Sequence, residues 1–131
     1  VTFDGRIWHF NGTSWTSTTV SRNGLNAVYA IAPNNAWIVA EQGVVLHYDG
    51  TSWSQVTGNP QPLLGLYAVW AAGPSDLYFA GANGIVLRYN GATWSNLPTG
   101  LGTADTLFRI SGSSATNIMA TGTHDLPARP S

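Results

Sequence analysis

One eleven-residue pattern occurs three times in this chain without a gap: Gly5-Arg-Ile-Trp-His-Phe-Asn-Gly-Thr-Ser-Trp15, Gly43-Val-Val-Leu-His-Tyr-Asp-Gly-Thr-Ser-Trp53 and Gly84-Ile-Val-Leu-Arg-Tyr-Asn-Gly-Ala-Thr-Trp94. The glycines that open it are 38 and 41 residues apart. A second motif also recurs three times, at Leu25-Asn-Ala-Val-Tyr29, Leu66-Tyr-Ala-Val-Trp70 and Leu107-Phe-Arg-Ile-Ser111, with 41 residues between successive leucines. A fixed period of this length means that one supersecondary unit is used repeatedly, each copy burying its apolar face on its neighbour. The chain is therefore treated as a single domain, 1–131, with repeats at approximately 1–38, 39–79 and 80–120 and a tail at 121–131.

The unit is made of strands. Asn11-Gly12, Asp49-Gly50 and Asn90-Gly91 lie between apolar runs and are hairpin signals, expected as type I′ turns. Ala36-Trp-Ile-Val-Ala40 and Leu77-Tyr-Phe-Ala80 are apolar at consecutive positions. Such runs suit a sheet covered on both faces. No stretch has a 3.6-residue period, so no helix is expected. Each period then holds strand a (25–31, 66–72, 107–111), strand b (36–40, 77–81, 117–121), strand c (6–10, 44–48, 85–89) and strand d (13–18, 51–56, 92–97). Four short strands in about 40 residues predict the blade of an all-β propeller, with three four-stranded blades per chain.

The segment Tyr48-Asp49-Gly50-Thr51-Ser52-Trp53 resembles the repeats of Asp-box (BNR-like) propellers and of photosystem-assembly-factor-like propellers. The pattern departs from an Asp box in having Asp49 and Gly50 adjacent, and in carrying Asn11 or Asn90 in the other two copies. In those families the motif is structural, so the resemblance implies a fold and no activity.

The repeats are out of phase with the blades. The first copy holds strands c and d without a and b, and the last holds a and b followed by Asp125-Leu-Pro-Ala-Arg-Pro-Ser131, where Pro127 and Pro130 oppose a further strand. Val1 and Thr121 fall at one repeat position. Three blades do not close a ring, and apolar sheet flanks left open favour association. The expectation is a homodimer: two chains, head to tail, exchange strands and close six blades. A fragment of a longer chain, consistent with a processed or truncated start at Val1, and an open polymer are the alternatives.

Composition narrows the function. Only 8% of residues are charged, lysine and cysteine are absent, and the net charge is −1. This disfavours a nucleic-acid backbone or an anionic membrane as partner. Zero Cys rules out disulfides and thiolate metal sites. A surface of Ser, Thr, Asn and Gly suits an extracellular or cell-surface setting. Asn11-Gly12-Thr13 is also a glycosylation sequon, but it coincides with turn chemistry.

The candidate chemistry is sparse. Trp15, Trp53 and Trp94 share one repeat position, as do Tyr29 and Trp70, and Trp37 and Tyr78; aromatics in register are read as packing between blades. His9, His47 and Arg88 are equivalent and spread apart, which argues against a metal site. Asp49 and Asp76 are assigned to turns. Two facing carboxylates, a nucleophile motif and a phosphate-binding loop are all missing, so no enzyme and no cofactor are expected. What varies between repeats is the set of b–c and d–a loops, which share one end of the strands: Glu41-Gln42, Ala82-Asn83, Thr123-His124, Ser21–Gly24 and Gly58–Gly65. A non-catalytic binding module is expected there, with carbohydrate as the ligand class and Glu41, Gln42, Arg22 and Asn83 as ligand-binding residues. A structural, self-assembling propeller half is the alternative.

Overall fold

A computed structural model of the chain, described over residues 4–21 and 23–126, is all β. Arg22, Pro127 and Pro130 lie outside those residues. Strands β1 (Gly5–Phe10) and β2 (Trp15–Ser21) form a two-stranded hairpin. A four-stranded sheet follows from β3 (Leu25–Ala32), β4 (Asn35–Ala40), β5 (Val45–Tyr48) and β6 (Trp53–Gln55), paired in that order. The same meander repeats in β7 (Leu66–Gly73), β8 (Asp76–Gly81), β9 (Val86–Tyr89) and β10 (Trp94–Leu97). A second hairpin, β11 (Asp105–Ser114) with β12 (Asn117–His124), completes the described structure. Every pairing is antiparallel. All twelve expected strands are present, with ends displaced by up to three residues.

The central sheet explains why the b strands read as unbroken apolar runs. Side chains alternate across a strand. Leu77 and Phe79 therefore face the preceding sheet, where they join Trp37, Val39 and Val45 in one core cluster with Leu66, Val69 and Leu87. Tyr78 and Ala80 face the other way, joining Ala68 and Trp70 against Leu107 and Ile110 of β11. Both sides of β8 are dry, so no polar residue interrupts it until Asp76 at its start.

Each a strand is bent at the same place. Leu25 and Ala27 of β3 oppose the adjacent pair Ala40 and Val39, so Asn26 is an extra residue in a β-bulge. The register breaks identically between Leu66 and Ala68, and between Leu107 and Arg109, making Tyr67 and Phe108 the equivalent bulge residues. A bulge increases local twist and re-aims a side chain.

The Asn/Asp-Gly turns are built differently from the expected type I′. That turn needs positive φ at both central residues, but here only the glycine has it: Gly12 at φ 100°, Gly50 at 99° and Gly91 at 94°. The preceding side chain does the rest. Asn11 Oδ1 accepts from the Thr13 and Ser14 N–H groups at 2.9 Å each, Asp49 Oδ1 from Thr51 and Ser52 at 2.8 and 3.0 Å, and Asn90 Oδ1 from Ala92 and Thr93 at 2.9 and 2.7 Å. A side-chain carbonyl or carboxylate thus replaces the backbone acceptor, which is why Asn and Asp interchange at this position.

The strand-d tryptophans divide by their surroundings. Trp94 packs on Tyr89 and Phe79, at 4.8 and 5.3 Å between centroids, and its indole N–H donates to the Thr57 carbonyl of the preceding sheet at 3.0 Å. Trp53 is half-buried on Tyr48, and Trp15, beside Phe10, is exposed. Packing between sheets thus holds for Trp94 and fails for Trp15, because only Trp94 has a complete sheet in front of it. Asp76 is also not a turn cap: its Oδ1 accepts from Arg88 Nε at 2.8 Å, across from β9.

Phe79→Ala should cost about 3–5 kcal/mol, the range for emptying a buried aromatic site, whereas Trp53→Ala should cost clearly less; urea unfolding of the two variants checks the order. The Ser52 and Thr51 N–H groups hold the Asp49 carboxyl below its ordinary range. A carboxyl whose pKa is lower folded than unfolded contributes stability above its unfolded value of about 3.9, and that stability is lost as pH falls through the folded value. Asp49→Asn keeps the acceptor and cannot titrate. Its melting temperature should therefore gain on the parent's as pH is lowered from 7 to about 2.5, and scanning calorimetry at the two pH values measures the difference.

Candidate functional site

The starts of strands a and the ends of strands b lie together, so the b–c turns, the d–a loops and the bulges meet at one end of the sheets. The turn Glu41–Gly43 puts Gln42 at φ 59° and ψ 30° and Gly43 at φ 69°. Its equivalent puts Asn83 at φ 58° and Gly84 at φ 65°. Val44 N–H bonds Glu41 O, and Ile85 N–H bonds Ala82 O, both at 3.3 Å. Two consecutive residues of positive φ closed by that bond are the type I′ arrangement, found here and not at the Asn/Asp-Gly turns. Gln42 and Asn83 are thus equivalent backbone pivots on neighbouring sheets. Asn tolerates that conformation; Gln does so at a cost.

The d–a loops are fastened to these turns. Asn59 Nδ2 donates to Gly43 O at 2.9 Å, and its Oδ1 accepts from Gln61 N–H at 2.7 Å. In the next sheet Thr99 Oγ1 donates to Gly84 O at 2.9 Å and accepts from Leu101 N–H at 3.1 Å. The loops pass so close that a Cβ on Gly43 would meet Asn59 and Gln61, and one on Gly84 would meet Leu101.

Beside these loops, the bulge residues and Glu41 form a row. Asn26 Nδ2 donates to Leu66 O at 2.9 Å and lies 3.3 Å from Glu41 Oε1. Gly65 leaves space beside it: a Cβ there would lie 2.9 Å from both Glu41 Oε2 and the Tyr67 hydroxyl. Tyr67 in turn packs on Phe108, 5.4 Å between centroids and tilted 38°. Glu41, Asn26 and Phe108 are exposed, and Tyr67 is half-buried. The row presents a carboxylate, an amide and two aromatic rings.

Of the residues expected to bind, Glu41 belongs to this row. Gln42 and Asn83 are held at equivalent corners of two sheets, and Arg22 is outside the described residues. Asn26, Tyr67 and Phe108 escaped the sequence reading. Their signal was present: they are the one position that changes from polar amide to aromatic inside the otherwise alike Leu-x-Ala-Val motifs of the first two repeats and the Leu-x-Arg-Ile of the third. The bulge that makes that position matter is not visible in a repeat alignment.

A cleft of about 470 Å³ lies between the two four-stranded sheets at their opposite end, lined by Asn34, Asn35, Trp37, His47 and Tyr89 among others. Its polar atoms largely engage one another. Asn35 Oδ1 accepts from Trp37 Nε1 at 3.1 Å and lies 2.8 Å from His47 Nε2. Burial lowers the His47 pKa, partly countered by Asp49. Among the described residues, no three His, Asp or Glu side chains are grouped to hold a metal ion. No protein-family model matches this chain, and no curated protein matches it in sequence.

Replacing Gln42 by Gly should leave stability unchanged or raise it by up to about 1 kcal/mol, because it relieves a left-handed residue with a side chain. Gly84→Ala should lower it by about 2 kcal/mol or more, since the methyl group meets both an unfavourable φ and Leu101. Thermal denaturation of both variants distinguishes the two effects.

Proposed function

We propose that the two four-stranded sheets are blades of a β-propeller, that two chains together form six blades, and that the assembly is a non-catalytic binding module in an extracellular or cell-surface setting. What supports the blade reading is the stacking of like sheets through like faces, with strand a bulged at one repeated position. The ligand class is carbohydrate, and the contact surface is the row Glu41, Asn26, Tyr67 and Phe108 at the mouth formed by the b–c and d–a loops. The observation that carries this choice is the juxtaposition of Tyr67 and Phe108 with the Glu41 carboxylate. Aromatic faces cover the apolar side of a sugar ring, while a carboxylate and an amide take its hydroxyls. Weak single contacts of this kind gain from repetition around a ring.

The test is a glycan array followed by calorimetric titration of the best binder. Tyr67→Ala and Glu41→Gln should each weaken binding at least ten-fold, Asp49→Asn at the far end should not, and EDTA should leave binding intact. An array without a binder, or a binder indifferent to Tyr67 and Glu41, defeats the assignment.

A further inference from the structure

The two hairpins at the ends of the described structure each have two strands where the complete sheets have four. In the first complete sheet, Asn35 of strand β4 lies 2.8 Å from His47 of β5; in the second, Asp76 of β8 holds Arg88 of β9 at 2.8 Å. An Asn or Asp on strand b thus faces a basic residue on strand c in both. In the third repeat the Asn is Asn117, at the start of β12, and the basic residue is His9, on β1. The two positions stand on the free edges of different hairpins: β12 pairs only with β11, and β1 only with β2, among the described residues.

Exposure divides in the same way. Leu87 on strand c is 0% exposed, and its equivalent on β1, Trp8, is 62% exposed. Tyr78 on strand b is 2% exposed, and its equivalent on β12, Met119, is 72% exposed. Val69 is buried, whereas its equivalent Val28 on β3 is 61% exposed, beside a cleft of about 340 Å³ that separates it from Arg6, Ile7 and Trp8 of β1. Trp15 and Phe10 are exposed, although the matching pair Trp94 and Tyr89 packs on Phe79 and Trp37. Each of these apolar positions is more exposed than its counterpart in the second complete sheet.

We infer that β1 of a second copy of this chain pairs antiparallel with β12, making a four-stranded sheet β11–β12–β1–β2 from two chains, and that two such junctions close the pair. The inference rests on the blade reading above. The occupant is named by register. Trp37 stands opposite His47, and Tyr78 opposite Arg88; the same spacing sets Met119 opposite His9 and brings Asn117 Oδ1 to the His9 ring. Asn117 already spends its Nδ2 on Ser113 Oγ, at 2.8 Å, which orients it for that role. Phe10 then covers Tyr78, as Tyr89 covers Trp37, and the Trp15 indole N–H reaches the Pro98 carbonyl, as Trp94 reaches Thr57. Met119 is received by Ile38 and Tyr48. A stable pair needs about 1,600 Å² of buried surface in total, which the two junctions together must supply.

The chain has no cysteine, so the register is readable by cross-linking. His9→Cys combined with Met119→Cys should give, on mild oxidation, a disulfide-linked species of two chains that reduction returns to one; Trp8→Cys with Met119→Cys, out of register by one residue, should not. Light scattering of the unaltered chain at micromolar concentration should give twice its 13.9 kDa. A single-chain mass, or a disulfide closed within one chain, overturns the junction, and a mass far above two chains overturns its closure as a pair. Failure of the blade reading itself shows elsewhere: Trp94→Phe, which removes the bond to Thr57 between the complete sheets, would then melt no lower than the parent.

Discussion

Strand β8 cannot exist with either of its faces wet. Leu77, Tyr78, Phe79 and Ala80 are consecutive and all buried, alternating between two separate core clusters. Burial of a single such aromatic contributes about 2–3 kcal/mol, and here Phe79 and Tyr78 stabilise opposite interfaces from adjacent positions. A sheet built on this strand requires a neighbouring sheet on each side. The similarity of the repeats follows from that requirement, since each sheet must offer the face that its neighbour needs.

The same requirement accounts for how well the architecture could be read from the residues. The 41-residue repeat, the recurrence of Leu25, Leu66 and Leu107, the unbroken apolar runs and the Gly and Asn/Asp positions located all twelve strands. Reading failed where a residue's role depends on something other than its repeat position. Trp15, Trp53 and Trp94 are indistinguishable by sequence, yet their burial follows from what stands in front of them. Asp76 looks like a turn former until Arg88 is seen across the strand. The two turn types were exchanged because Asn-Gly and Asp-Gly carry two meanings: positive φ for both residues, or an acceptor side chain followed by glycine. The second meaning won wherever two further N–H groups were within reach of the Asx oxygen.

The candidate site was partly legible. Glu41 was expected among the binding residues from its place in a b–c loop, and its carboxylate stands beside Asn26 in the row. Gln42 and Asn83 were selected because they are polar and in loops, and the turns place them at equivalent corners of neighbouring sheets. Side chains alternate along a regular strand, which gives Tyr67 and Phe108 no distinct place in the repeat. A bulge breaks that alternation and turns the odd residue toward the mouth, so variation inside a constant motif carried more information than variation in the loops.

The fastening of each d–a loop to its b–c turn separates two properties that usually trade against each other. Residues 57–65 and 98–104 differ in length and composition, yet each spends one side chain, Asn59 or Thr99, on the same carbonyl of the adjoining turn. The loops' other bonds to their surroundings run through backbone carbonyls, Thr57 O accepting from the Trp94 indole, Gly65 O from Ala82 N–H and Ala104 O from Asp125 N–H. Sequence drift there leaves the scaffold's geometry unchanged, so a lineage built on this repeat is free to explore new surfaces at the mouth while the strands beneath stay constant.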